Sequence, residues 1–176
     1  HKTCFSVVRY GNVMGSRGSV IPLFISLIDK GELPITDIRM TRFMITLEKG
    51  VDLVWHAFKD MLGGEIYVKK IPSMKIIEIA KTIAPKAKLK IVGIRAGEKL
   101  HEQMIGSDDS NTTYEYSSYF KILPQINQWE KDTSRIKKGI KVPEGFVYCS
   151  ENNNDWMTQS ILQKWIKHNS DYIGKI

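Results

Sequence analysis

The stretch Arg9–Ser19 (RYGNVMGSRGS) follows an apolar strand-like run and precedes a helix-like one, and it carries residue types that handle sugars and phosphates. Gly11, Gly15 and Gly18 let a backbone approach a ligand closely or take a positive φ at no steric cost. Asn12 offers a carboxamide and Arg17 a guanidinium at the carboxyl end of the strand, groups suited to sugar hydroxyls and phosphate oxygens. In open α/β sheets, ligands sit at that end of the strands. Spacing alone fits an ordinary strand-to-helix turn equally well. The stretch has neither the Gly-Lys-Ser/Thr of a P-loop nor a GxGxxG fingerprint.

Two further segments carry paired charge. Thr36–Thr46 (TDIRMTRFMIT) sets Arg39 and Arg42 among apolar neighbours, where a guanidinium needs a partner because burying it alone is costly. Asp37 or Glu48 could serve; so could a diphosphate, to which the planar fork binds through charge-assisted bonds. Gly93–Glu102 (GIRAGEKLHE) puts Arg95 just before an expected helix amino terminus, where free amides and the helix dipole attract anions. Glu98 would then accept from a ribose hydroxyl, orient Arg95, or simply stabilise the helix dipole. His101-Glu102 begins like HExxH, but Ile105 stands in the fifth position, so no metal is expected. Asn111-Thr112-Thr113 reads as a chance glycosylation match, and His56 as a structural or surface histidine. No Ser, His and Asp arrangement marks a nucleophile, so no catalytic residue is assigned within these 176 residues.

The elements that position these residues alternate. Cys4–Arg9 reads as a strand and Val20–Lys30 as a buried helix closed by Gly31. Pro34–Asp37 reads as a short strand. Leu47, Val51, Val54, Trp55, Phe58 and Met61 then fall at near-helical spacing, with Gly63-Gly64 as the stop. A Glu65–Lys70 strand, a Met74–Ala84 helix and a Leu89–Arg95 strand follow, which argues for an α/β architecture. Beyond Gly106 the pattern weakens. Thr112–Tyr116, Tyr119–Leu123 and Phe146–Ser150 look like short strands, and Gln125–Lys141 like a Lys-rich surface excursion. Asn152–Asp155 reads as a turn, and Met157, Ile161, Trp165 and Ile166 mark a terminal amphipathic helix. Trp55, Trp156 and Trp165 sit at core-like spacings rather than forming a stacking platform.

With 42% hydrophobic residues the chain can bury one core. No apolar stretch approaches the ~20 residues that span a bilayer and no leader is visible, so a soluble protein away from membranes is expected, and its two cysteines, read as free thiols, suit a reducing cytoplasm. Cys4 and Cys149 lie far apart in strand-like runs and read as buried free thiols. The net charge of +7 favours an anionic partner. The Lys86, Lys88, Lys90 and Lys137, Lys138, Lys141 clusters read as solvated faces, and no nucleic-acid motif is visible. The first residue is His1, and no nucleotide-binding unit precedes the loop; the expectation is the carboxy-terminal part of a larger protein.

Taken together, RYGNVMGSRGSVIPLF, PITDIRMTRFMITLEKGVDLVWHAF, GGEIYVKKIPSMK, GIRAGEKLHEQMI and VPEGFVYCSENNNDWM resemble the extended short-chain dehydrogenase/reductase family over nearly the whole chain. Within it they resemble members that dehydrate UDP-N-acetylglucosamine across C5 and C6 with inversion at C5. Arg17 in GSRGS and the IRMTRF wording are similar to the inverting members, whereas retaining relatives carry GSSGS. The resemblance implies the late part of an NAD(P)-binding Rossmann-like fold with a small α/β substrate lobe. Residues 1–70 would supply sheet elements (strand 4–9, helix 47–61, strand 65–70) interleaved with lobe segment 17–46, and residues 71–176 the lobe and terminal helix. It implies NADP bound mainly by an amino-terminal half that carries a Tyr-x-x-x-Lys pair missing here, so that the 176 residues alone would be inactive. By motif, Asn12 would contact substrate, Val13 the nicotinamide side and Arg17 a cofactor or substrate phosphate. Thr36, Arg42, Arg95 and Glu98 would cradle the UDP group. The implied product is a 4-keto-6-deoxy UDP-sugar for pseudaminic acid or surface-glycan synthesis, made by a homo-oligomer when full length. A retaining dehydratase or epimerase of the same superfamily is the alternative; a basic nucleic-acid-binding module is a remote one.

Overall fold

The computed structural model describes residues 3–126 and 128–173. In chain order the elements are β1 (Val7–Arg9), β2 (Asn12–Val13), α1 (Val20–Ser26), β3 (Glu32–Ile35), β4 (Thr41–Ile45), α2 (Leu47–Asp60), β5 (Ile66–Lys69), β6 (Ser73–Lys75) and α3 (Ile76–Ile83). There follow β7 (Lys88–Ile91), β8 (Gln103–Ile105), β9 (Thr113–Glu115), β10 (Tyr119–Ile122), α4 (Thr133–Ile136), β11 (Ile140–Lys141), β12 (Tyr148–Cys149), α5 (Gln159–His168) and α6 (Ser170–Ile173). The α/β alternation read from the sequence is present, with strands shorter than their apolar runs because each run's ends turn into loops. Gly31 closes the α1 region as expected, its φ of 66° being one that a side chain rarely adopts.

The chain divides into two compact units. The first comprises His1–Tyr10, Leu47–Ile71 and Gln103–Cys149. Its five-stranded sheet has the order β1-β5-β10-β9-β11, with β1 parallel to β5 and the other pairings antiparallel. On it, α2 buries Leu53 and Ala57 against Tyr67, flanked by Val8, Met61 and Tyr119. The sequence partition put all of 71–176 in one lobe, whereas Gln103–Cys149 packs with this unit because Tyr119–Ile122 hydrogen-bonds along Ile66–Lys69.

Three expectations fail in this unit. The stripe Leu47, Val51, Val54, Trp55 and Phe58 is exposed, since the face that meets the sheet is the narrower one of Leu53 and Ala57. Cys4 is exposed and Cys149 only half-buried, because the strand begins at Val7 and leaves Cys4 ahead of the ladder. Gln125–Lys141 is not a plain surface excursion: Arg135 is buried and pairs with buried Glu65, while Lys137 pairs with Asp60. His56 does behave structurally, tilted on the Tyr119 ring at 4.4 Å, with burial lowering its imidazole pKa.

Asp60 gives this unit a pH dependence. Burial alone would raise its carboxyl pKa, but hydrogen bonds from Lys121, Lys137 and Tyr67 outweigh that and hold it well below the usual carboxylate range. A depressed folded pKa means that the stability contribution is complete above the unfolded value of about 3.9 and is lost as pH falls through and below it. Melting temperatures measured from roughly pH 5 down to pH 2 should therefore fall steeply, and Asp60→Asn should flatten that fall. An unchanged acid limb in the variant would refute the assignment.

The second unit comprises Gly11–Thr46, Pro72–Glu102 and Ser150–Ile176. In it β4 lies between parallel β2 and antiparallel β6, and β3 pairs in parallel with β7. Ile21 and Phe24 of α1, Ile79, Ala80 and Ile83 of α3, and Leu162 and Ile166 of α5 share one core. The terminal helix forms, but Leu162 rather than exposed Ile161 enters that core, and Trp156 is also exposed.

Candidate functional site

The site lies within the second unit and is built from the close approach of β2 and β4. A Cβ on Gly11 would stand 2.4 Å from Phe43 Cβ and 2.6 Å from the Phe43 carbonyl oxygen, so only glycine lets the strands meet here. That approach sets Asn12 opposite Met44 and Val13 opposite Ile45. A cavity of about 260 Å³ opens beside them. Asn12, Thr36, Arg42, Arg95 and Glu98 all line it, with Gly18, Ser19 and apolar Leu23, Phe24, Met40 and Val92. The Ser19 hydroxyl oxygen is buried with no hydrogen-bond partner.

Arg42 has found partners other than Asp37 or Glu48. Its Nη1 donates to the carbonyls of Thr41 (2.7 Å) and Leu100 (3.1 Å), and its Nη2 to that of Lys99 (2.9 Å). Carboxylates stand farther off, Glu98 at 4.0 Å and Glu102 at 3.8 Å. Arg42 thus ties β4 to the segment after β7. Arg39 takes Asp37 instead, in a two-pronged surface pair at 3.0 and 2.8 Å whose hydrogen bonds hold the Asp37 carboxyl down at about 2.

The helix expected after Arg95 is absent. Residues 92–102 run as turns and irregular backbone, so the helix-terminus anion site falls away, and exposed Arg95 meets the cavity as a side chain alone. Glu98 accepts the Arg95 backbone N–H at 3.3 Å, which orients the turn rather than a helix dipole. Of the two residues offered for a nicotinamide cofactor, Val13 is half-buried in β2 and Arg17 is exposed in the turn, and neither lines the cavity.

Glu102 is the residue the sequence left unread. Its Oε2 accepts the Phe43 N–H at 2.9 Å, and in the orientation that satisfies its hydrogen bonds the Asn12 amide donates to Oε1 and Oε2 at 2.6 and 3.2 Å. Burial pushes its carboxyl pKa up, opposed by the Phe43 N–H and the Arg42 charge. Its four-residue spacing from Glu98 was the available signal, obscured by its neighbour His101 and the failed zinc motif.

A carboxylate, imidazole and hydroxyl chain also forms. Glu151 lies 3.4 Å from His101 Nε2, and Thr41 Oγ1 sits 2.8 Å from His101 Nδ1 and 2.7 Å from Ser150 Oγ. Thr41 is 1% and Ser150 0% exposed, so these hydroxyls cannot reach a substrate and serve as bracing. The cavity can therefore bind and orient an anionic, hydroxyl-bearing ligand; among the described residues no group of His, Cys, Asp and Glu could hold a metal.

Comparison with known proteins fits this geometry. A UDP-N-acetylglucosamine 4,6-dehydratase (inverting) of Campylobacter jejuni is 52% identical over 178 residues, covering 97% of this chain and 53% of the relative. A UDP-glucose 4-epimerase of Rickettsia canadensis is 42% identical over 69% of this chain and 37% of its own length. The crystal structure of Pen from Bacillus thuringiensis superposes with a TM-score of 0.81 at 30% identity, over 96% of this chain and 51% of that one, which supports the Rossmann-like α/β fold. The chain spans about half the length of the curated dehydratases it matches. The kinship with extended short-chain dehydrogenase/reductases read from the motifs is borne out. The polysaccharide biosynthesis protein model matches residues 1–124, well over half of the 176, and the chain belongs to that family.

Proposed function

We propose that this chain is the sugar-nucleotide-binding part of a UDP-N-acetylglucosamine 4,6-dehydratase that inverts C5. The observation that carries the reading is the gathering of Asn12, Thr36, Arg42, Arg95 and Glu98 around one cavity, in a chain 52% identical to such a dehydratase over 97% of its residues. Arg95 supplies the accessible cation for a diphosphate, Thr36 and Glu98 take hydroxyls, and Asn12 meets the sugar. At about 260 Å³ the cavity falls just below the range of about 300–1,000 Å³ for ligand sites and suits part of a sugar nucleotide. The nicotinamide cofactor, NADP in this reading, supplies the redox chemistry and is held mainly by residues outside this chain. The role of this chain is to grip the remote UDP group so that the sugar is presented in reactive geometry. Cytoplasmic residence, assembly into a homo-oligomer and a place in pseudaminic acid or surface-glycan synthesis belong to the same proposal. No helix among the described residues is long and apolar enough to cross a membrane.

Isothermal titration of the chain with UDP tests the binding step. Arg95→Ala should weaken UDP about tenfold, the value of one exposed charge-assisted contact, with little change in melting temperature. An unchanged affinity would refute the role of Arg95. Sugar-nucleotide epimerases make the same demands on a UDP cradle. The C5 configuration of the product formed by the complete polypeptide, read by NMR, decides between the two activities.

A further inference from the structure

We propose that Glu102 is a positioning residue that fixes the polarity of Asn12 toward the ligand, an inference that rests on the sugar-nucleotide reading. An asparagine amide can present either end to a substrate, and the choice is set by whatever holds the other end. In the amide orientation that satisfies its hydrogen bonds, the Nδ2 group is taken up by the Glu102 carboxylate at 2.6 and 3.2 Å. The atom Asn12 has left to offer is Oδ1, an acceptor, so it selects a hydrogen-bond donor on the sugar, a hydroxyl or an amide N–H.

Glu102 is itself fixed from three directions. Phe43 N–H donates to its Oε2, its own N–H donates to Ser150 Oγ at 2.9 Å, and its carbonyl accepts the Ser150 N–H at 2.8 Å. Swinging the carboxylate away breaks its hydrogen bond from the Phe43 N–H. Arg42 Nε, 3.8 Å from Oε1, places a positive charge beside the carboxylate, which as an anion is acceptor-only. Both carboxylate oxygens lie within hydrogen-bond reach of the same end of the Asn12 amide, and that end is the donor in this pair.

Replacing Glu102 by glutamine keeps the shape and reverses the logic. To accept from Phe43 N–H, the new side chain must point its amide oxygen there and turn its NH2 toward Asn12, which then rotates and shows its own NH2 to the cavity. The charge-conserving exchange N12D/E102Q restores the arrangement, because a carboxylate at position 12 accepts from the glutamine amide and keeps an acceptor facing the ligand.

The test titrates the wild-type chain, E102Q and N12D/E102Q with UDP-N-acetylglucosamine and with UDP, with thermal melts alongside. E102Q should lose about tenfold or more in affinity for UDP-N-acetylglucosamine, the effect of facing donor to donor, and the double variant should recover most of it. Equal binding by E102Q overturns the proposal and leaves the cavity reading intact. A loss that the double variant does not repair also overturns it, since a merely structural glutamate would give that result. Side-chain amide NMR reads the pair without ligand: the Asn12 Nδ2 protons should exchange slowly in the wild type and quickly in E102Q. Fast exchange in the wild type overturns the proposal, whereas slow exchange in a chain that binds neither nucleotide overturns only the functional reading.

Discussion

Glu65→Ala is expected to destabilise the first unit by about 3–5 kcal/mol, the cost of stranding a buried charge. Glu65 is 1% exposed and Arg135, its partner, 6%. The carboxylate also accepts the backbone N–H groups of Leu62 at 3.0 Å and Gly63 at 2.8 Å, closing the turn between α2 and β5. Arg135 donates to the Gly63 carbonyl at 2.8 Å and stacks over the Trp129 ring at 4.0 Å. Removing the carboxylate leaves the buried guanidinium only the more exposed Asp132, 3.4 Å from its Nε, as counter-charge, and takes the acceptor from two amides. Urea denaturation measures the loss. Glu65→Gln should cost less, because an amide oxygen still accepts one N–H. The double variant E65Q/R135M should be more stable than the sum of its single effects, since each single change strands the other partner. A loss below about 1 kcal/mol for Glu65→Ala would show that water reaches the pair and that it behaves as a surface bridge.

That pair also marks what the sequence did not reveal. Arg135 stands among Lys131, Asp132, Ser134, Lys137 and Lys138 in Gln125–Lys141, so its surroundings read as solvated; its partner lies 70 residues earlier. The helix 47–60 was legible in position because its apolar spacing and the Gly63-Gly64 stop are local signals. Its orientation was not. Ala57, a small residue packed on Tyr67, counts for little in a hydrophobic stripe, whereas the exposed Trp55 and Phe58 dominate it. The same division runs through the site. Asn12, Arg42, Arg95 and Glu98 were readable as residue types suited to sugars and phosphates, Thr36 only through the family resemblance, and all five line one cavity. The helix foreseen after Arg95 was misread because GEKLHE has the composition of a first turn, while the backbone there is held by Arg42 and by Ser150, partners that local propensity cannot register. Glu102 was missed for the related reason that its function depends on a backbone amide 59 residues away.

Arg42→Ala should separate two roles that the sequence merged. As a phosphate ligand, Arg42 would act through free N–H groups; in the structure three of its donations go to main-chain carbonyls, and its side chain is only 12% exposed. Its first effect is on the segment Lys99–Leu100, which it joins to Thr41. Losing charged hydrogen bonds of this kind costs about 1.5–3 kcal/mol each before the segment relaxes. The second effect is on binding, because Glu98 and Arg95 are presented by the same segment, and affinity for UDP should fall by about 2–5 kcal/mol. Arg42→Lys is the decisive companion. An ammonium keeps the charge but cannot span the carbonyls of Thr41, Lys99 and Leu100 at once, so it should lose nearly as much as alanine. Calorimetric binding and thermal melts on both variants, beside Arg95→Ala, give the comparison. If lysine restored full affinity, charge alone would be the requirement and the bracing role would be refuted. If instead Arg42→Ala and Arg42→Lys lose stability and affinity together while Arg95→Ala loses affinity only, the cavity has one arginine that builds the wall and another that meets the phosphate.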